Sequence, residues 1–463
     1  MSVDTLQWIL VIGISLLLFF IAPLAKTEKA FFKGEGSSGK PNFFLLTSSL
    51  VISWLFAKSI TNSANLGLSY GIVGGVAYAG YYLSFIVAGL IIYKLRTVGG
   101  FKSIHHFLET KFGKGALVVF SLLISFRMWN EVWSNSMVIG SYFGAEGTTP
   151  YLLAVIVFTA LTIAYSIKGG MSSSLFTDMI QMILFSVLLG VILFMIFPKT
   201  DWNIGAFVKS GTWSMSQGLN LLLLAFVQCF SYPFHDPVMT DRGFVTDAKT
   251  TRKAYLWSAV IGMLCIILFS FVGIYGRMEG VSGQAPVEVA KLLGIPMMLV
   301  MNFIMITSAA STLDSTFSSF SKMVHLDLKI AKPSLTGGRI SMVVIAMLGT
   351  IPVFFNPDII SATTYGGTVV IGLAPIFVLW KMKAPPISFY LSVVGGFIAV
   401  VLMIIWPLPE RFMFSTGKYA DLLAINVYGT IICFTLFLVP RLIPGLHAKS
   451  VPIEKNKSVE SKA

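Results

Sequence analysis

The chain has 463 residues, 56% of them apolar and only 11% charged, with a mean hydropathy of +0.83. Soluble domains carry about 25% charged residues, so the composition excludes a soluble globular enzyme and describes an all-α polytopic membrane protein. The formal charge of +13 raises the question of a nucleic-acid partner, but the basic residues are scattered over short loops between apolar runs, so none is expected.

Thirteen apolar runs are long enough to span a bilayer. They lie near 6–24, 42–70, 72–94, 115–143, 149–167, 173–197, 216–235, 254–276, 296–326, 338–356, 359–380, 385–407 and 420–440. The first is not a cleaved signal, because its leader MSVDT has no basic residue and Lys26 and Lys29 follow the apolar run. With alternate loops taken as inside, 24 of the 33 lysines and arginines fall on one side, 6 on the other and 3 (Lys58, Arg127, Lys322) within spans. That bias places the N-terminus outside and the C-terminus in the cytoplasm of a plasma (inner) membrane protein. Residues 1–445 form one transmembrane domain, and the polar segment 446–463 reads as a disordered cytoplasmic tail.

Most spans are ordinary apolar helices, so the exceptions carry the information. The second contains WLFAKSITNSANLGLSYG, from Trp54 to Gly71. Lys58, Asn62 and Asn65 are costly at bilayer depth, while Gly67 and Gly71 weaken the helix. Local unwinding here frees carbonyls such as those of Ala57 and Ile60 for an ion; the alternative is a polar face packed on neighbouring helices. The fourth span carries Arg127, Asn130 and Glu131. Arg127 and Glu131 are four residues apart and can satisfy one another, or Arg127 can take a solute carboxylate bidentately.

Between spans five and six, Gly169 and Gly170 make a tight turn, and Thr177, Asp178 and Gln181 open the next helix. An acid near a helix N-terminus can serve the dipole alone. In span seven Pro233 and Pro237 break the helix beside Tyr232, a candidate aromatic flap. Span nine is the richest. Ser308, Ser311, Thr312, Ser315, Ser318, Ser319 and Lys322 follow helical spacing and draw one stripe. Hydroxyls in such a stripe suit Na⁺, although small polar faces also pack helices closely. Asp314 in the same span favours function, since ionisable groups within the bilayer are costly.

Three stretches resemble the sodium/solute symporter family, which includes bacterial sodium/proline and sodium/galactose symporters. They are Tyr165-x3-Gly169-Gly170-x6-Thr177-Asp178-x2-Gln181, the run Ser311-Thr312-Leu313-Asp314-Ser315 with Ser318-Ser319, and Ala57-x2-Ile60 through Gly67. The resemblance extends to about residue 445. It implies a LeuT-like fold with two inverted five-helix repeats, spans 2–6 and 7–11, plus peripheral helices. It also implies a sodium site formed by the carbonyls of Ala57, Ile60 and Ser308 and the hydroxyls of Ser311 and Thr312. By the same resemblance Asp178 lies on the sodium exit route, Tyr232 at the inner gate, and Asn62 and Ser63 near solute. The chain departs from the pattern at Lys58, beside the implied ion site, and in the segment Tyr232–Pro237. The Lys58 ammonium has three readings: pairing with Asp314 or Glu131, attracting an anionic solute, or standing in for a coupling cation.

The expected function is Na⁺-coupled symport of a small organic solute by alternating access, with Na⁺ as the coupling ion and the lipid bilayer as surroundings. Lys58 and Arg127 point towards a carboxylate-bearing solute, and Glu131 and Asp314 work against it. No nucleophile–base pair, phosphate loop or metal motif suggests catalysis, and no metal other than Na⁺ is expected. Two alternatives stand beside this reading: H⁺ coupling through Lys58 or Asp314, and a transporter-like solute sensor. With about twenty residues after the last span, a sensor would need a separate output partner.

Overall fold

The computed structural model describes residues 2–35, 39–355, 366–406 and 408–443. Over these the chain is built of helices joined by short turns. Those that matter below are α1 (Val3–Ile21), α2 (Phe43–Ile52), α3 (Ala57–Tyr70), α4 (Ile72–Thr97), α5 (Ile104–Phe112), α6 (Lys114–Gly140), α7 (Thr149–Gly169), α8 (Met171–Ile196) and α9 (Leu219–Gln228). They continue with α10 (Pro237–Arg242), α11 (Ala248–Met278), α12 (Ala285–Leu293), α13 (Ile295–Lys322), α14 (Leu335–Thr350), α15 (Leu373–Val378), α16 (Pro386–Ile405) and α17 (Ala420–Leu442).

Among the described residues nine helices are long and apolar enough to cross a membrane, and the bent pair α2–α3 makes a tenth crossing. The expected count of about thirteen differs for identifiable reasons. Spans seven and twelve are shorter apolar helices, Leu219–Gln228 and Pro386–Leu402. Span eleven is partly outside the described residues, as is the tail at 446–463. Large apolar side chains such as Phe20, Phe194, Met347 and Leu442 are more than half exposed, as a lipid-facing surface requires.

Two glycine placements explain local architecture. Gly170 takes φ +55° between α7 and α8, a left-handed conformation that side chains disfavour. The tight turn expected there is present. Gly67, by contrast, does not unwind its helix. A Cβ on Gly67 would overlap the Ser270 carbonyl, and one on Gly273 would overlap that of Ala64. These glycines let α3 and α11 approach backbone to backbone, which is how helices gain contact where lipid removes the hydrophobic drive.

The break in the second span falls earlier, at Ser53–Phe56, where α2 and α3 meet at 60°. Phe56 is extended (φ −52°, ψ 145°) and starts α3 without a side-chain cap. Freed backbone oxygens are satisfied from other elements: Tyr82 Oη donates to the Trp54 carbonyl at 2.7 Å, and Ser308 Oγ donates to that of Leu55. A break within a membrane helix survives only where neighbours satisfy its backbone in this way.

Candidate functional site

The hydroxyl stripe of α13 faces the break in α2–α3. Ser308 is joined to the break through the Leu55 carbonyl. The Thr312 hydroxyl donates to the Ser308 carbonyl at 3.1 Å, bringing together two of the oxygens proposed for sodium. Ser311, Thr312, Ser308, Ala57 and Ile60 are all buried. The Ala57 carbonyl accepts from the Thr61 hydroxyl at 3.0 Å. α3 begins at Ala57, so its partly positive end lies beside these oxygens.

Lower on the stripe is a cluster of buried oxygens around two carboxylates. Asp178 accepts from Ser311 and Ser49 at 2.5 Å each and from Ser315 at 3.3 Å. It lies 3.5 Å from the Arg242 guanidinium. Arg242 also donates to Ser49, Ser174 and Ser315 at 3.1, 2.8 and 3.0 Å. Asp314 accepts from Ser174 at 2.9 Å and from Thr177 at 2.8 Å. Among the described residues no cation lies within 4 Å of Asp314. Lys58 is not its partner.

Two expectations are revised here. Asp178 is eight residues into α8, two turns from its start, so it does not serve the helix dipole. Arg242, counted with the cytoplasmic loop in the sequence, is wholly buried at the end of α10. Pro237 starts that helix and Asp236 caps it through the Met239 amide at 2.9 Å, so the proline break carries Arg242 inward.

A second charged group surrounds α3 and α6. Lys58 Nζ is 2.9 Å from Glu131 and also donates to Ser134 at 3.2 Å and Asn130 at 3.4 Å. Arg127 is 2.5 Å from Glu131 and 3.7 Å from Asp236. Glu131 thus serves both cations, and Asn135 donates to its other oxygen at 2.8 Å. All four charged groups are at least nine-tenths buried. Among the described residues Arg127 Nε and Nη2 and His235 Nε2 nevertheless have no hydrogen-bond partner. Arg127 and His235 line a small cavity with Asn130, Leu123, Phe126, Gly366, Val369 and Val370.

Tyr232 lies between Arg127 and an aromatic cavity. Its ring lies 5.4 Å from the Arg127 guanidinium, 5.8 Å from Trp54 and 5.8 Å from Tyr81. With Phe56, Ser59, Tyr78 and Tyr82 these residues line a narrow cavity of about 30 Å³. Tyr78 and Tyr81 also line a larger one of about 110 Å³, reached by Asn62, Asn65 and Lys418. Asn62 therefore faces this path. Ser63 does not: it is buried against α11 and donates to the Ile266 carbonyl at 2.7 Å.

The stripe ends outside the ion site. Lys322 Nζ pairs with Asp241 and, at 3.2 Å, with Asp327, tying α13 to α10. Sequence reasoning missed Asp236, Arg242, Asp241, Ser49 and Ser174 as partners. The sequence signal for the first three was their density around the Pro233–Pro237 break.

No family model matches the chain. Its sequence is 23% identical to mouse (Mus musculus) solute carrier family 5 member 4A over 93% of this chain and 75% of that protein. It is 22% identical to sodium/glucose cotransporter 4 of Danio rerio over 34% of this chain, spanning only 25% of that relative's length. In structure it resembles a Na⁺-coupled sialic acid symporter solved substrate-bound and outward-open, with a TM-score of 0.70 at 15% identity, covering 96% of this chain and 98% of that one. Mhp1, a nucleobase-cation-symport-1 family transporter, superposes with a TM-score of 0.59 at 12% identity over 91% and 97% of the two chains. The chain is thus similar at a distance to solute carrier family 5 proteins, and it shares the LeuT-like fold of these solved membrane transporters.

Proposed function

We propose that the protein is a Na⁺-coupled symporter of a small carboxylate-bearing organic solute, working by alternating access. The observation that carries this reading is the helix break at Ser53–Phe56 facing the buried hydroxyls of α13. Na⁺ is held by the carbonyls of Ala57, Ile60 and Ser308 and the hydroxyls of Ser311 and Thr312. A hydroxyl can give its proton to a neighbour and its lone pair to a cation. The Ser311 hydroxyl already gives its proton to Asp178 and that of Thr312 to the Ser308 carbonyl, leaving both oxygens free to ligate. Asp178, next along the stripe, receives the ion on its way out.

Solute enters past Asn62, through the tyrosine-lined cavities, to Tyr232. When Tyr232 moves aside, the Arg127 donors that lack a hydrogen-bond partner among the described residues receive its carboxylate. Glu131 and Asp236 position Arg127 for that role, and Lys58 balances Glu131. In this orientation the N-terminus is outside and the basic loops are cytoplasmic. One Na⁺ moving through 100 mV supplies about 2.3 kcal/mol, or roughly forty-fold accumulation at 1.4 kcal/mol per decade. That gain applies to a neutral or zwitterionic solute, because one Na⁺ with a monoanion moves no net charge.

Proton coupling is the second reading, favoured by Asp314, whose contacts are hydroxyls and whose surroundings hold no cation within 4 Å among the described residues. Uptake by proteoliposomes under an imposed Na⁺ or H⁺ gradient decides. Uphill uptake of an amino acid or small carboxylate driven by Na⁺ and retained in Asp314→Asn is the expected result. Uptake driven by H⁺ alone and lost in that variant overturns Na⁺ coupling. Solute binding without transport, whatever gradient is imposed, overturns symport in favour of a sensor.

A further inference from the structure

Away from the transport path, Lys94, Lys381, Lys383 and Arg441 line one open groove of about 590 Å³. They come from three parts of the chain. Lys94 is in the last turn of α4, Arg441 in the last turn of α17, and Lys381 and Lys383 occupy the turn between α15 and α16. All four are exposed. Among the described residues none forms an ion pair, and no carboxylate lines the groove.

Cations in the last turn of a helix complement its dipole, and that accounts for Lys94 and Arg441 singly. It does not account for their meeting Lys381 and Lys383, which are on a turn. That turn is held in place: Leu379 and Met382 amides donate to the Pro375 and Leu379 carbonyls at 3.0 and 2.8 Å. Lys111 donates to the Trp380 carbonyl from α5, and the Trp380 side chain is buried. Four like charges are therefore kept together without a counter-ion among the described residues. Val378, Leu379 and Met382 supply an apolar wall, and exposed Leu90 and Leu442 lie on the lipid-facing surfaces of the two spans beside it.

We propose that this groove binds the phosphate of an anionic glycerophospholipid headgroup, with the acyl chains lying along the exposed faces of α4 and α17. A phosphodiester supplies the missing negative charge, and the ends of two apolar spans put the groove at headgroup depth, where basic pockets between helices recognise such lipids. The inference is independent of which ion or solute is carried.

The test uses the purified full-length protein in a neutral detergent. Its melting temperature is followed against short-chain phosphatidylglycerol, phosphatidylcholine and inorganic phosphate. Phosphatidylglycerol is expected to stabilise it saturably, with phosphatidylcholine and phosphate having no effect at the same concentrations. In Lys381→Gln/Lys383→Gln the half-saturating concentration should rise about fivefold per charge removed, and further with Lys94→Gln/Arg441→Gln. A monodisperse elution profile confirms that each variant is folded, and the paired variant stands alone if the quadruple one fails. Equal stabilisation by phosphatidylcholine, or unchanged affinity in the folded variants, overturns the site. Equal stabilisation by inorganic phosphate overturns the lipid source and leaves a site for free anions.

Discussion

The two buried charge clusters are built to opposite designs. Around α3 and α6, two cations, Lys58 and Arg127, meet two carboxylates, Glu131 and Asp236, so the group balances. Around α8 and α13 there are two carboxylates but, among the described residues, one guanidinium: Arg242 pairs with Asp178, while Asp314 is met only by hydroxyls. Among the described residues the first keeps Arg127 donors without a hydrogen-bond partner; the second keeps excess acceptors. Buried charge needs a partner or a proton. The contrast is between a group whose charges are matched and one with a surplus carboxylate.

Removing Arg242 should have the largest effect. Arg242→Met leaves Asp178 without its charge partner, and losing one member of a buried pair costs about 3–5 kcal/mol, read as a lowered melting temperature in detergent. Adding Asp178→Asn should recover part of it. If Arg242→Met is as stable as the parent, Asp178 is already neutral and the contrast fails. Next, Ser311→Ala with Thr312→Ala should leave the fold intact and raise the half-saturating Na⁺ concentration at least about tenfold, equivalent to about 1.4 kcal/mol. Unaltered Na⁺ stabilisation would remove both hydroxyls from the ion site.

Lys58→Met should be milder, because Glu131 keeps Arg127 at 2.5 Å. A KM for solute changed by about threefold to tenfold, roughly 0.7–1.4 kcal/mol, would tie the ammonium to the solute side of the site; a KM equal to that of the parent would make Lys58 a structural counter-ion. The smallest effect belongs to Glu288→Gln. The Lys291–Glu288 pair is 2.8 Å long, as short as the Lys58–Glu131 pair, but its side chains are 55% and 35% exposed. Exposed pairs contribute about 0–1 kcal/mol, so its melting temperature should stay within error. A large loss there would mean that distance rather than burial sets the worth of these pairs.

The fold was legible because its signals are local. Apolar length marks the spans, prolines mark the α9–α10 break, and Gly169–Gly170 mark the turn into α8. The hydroxyl stripe was visible for the same reason, since helical spacing alone puts Ser308, Ser311, Thr312 and Ser315 on one face. Unwinding in the second span was expected to free the Ala57 and Ile60 carbonyls; the break lies just before them, at Ser53–Phe56, and both residues are within α3. Gly67 has a different task, letting α3 and α11 touch, and a missing Cβ reads the same in sequence whether it loosens a helix or admits a neighbour.

By itself, the sequence determined a membrane protein with a polar, broken span, a hydroxyl-lined helix and an Arg127–Glu131 pair, because each follows from composition or from spacing within one helix. Only the tertiary structure decided that Lys58 pairs with Glu131, 73 residues away, that Arg242 leaves its apparent loop to join Asp178, that Ser63 turns to α11, and that four cations from three parts of the chain share a groove. A charge in a sequence carries its sign but not its partner. The partner is chosen when helices from distant parts of the chain pack, since in a low-dielectric interior each buried charge must be matched by whatever that packing brings within reach.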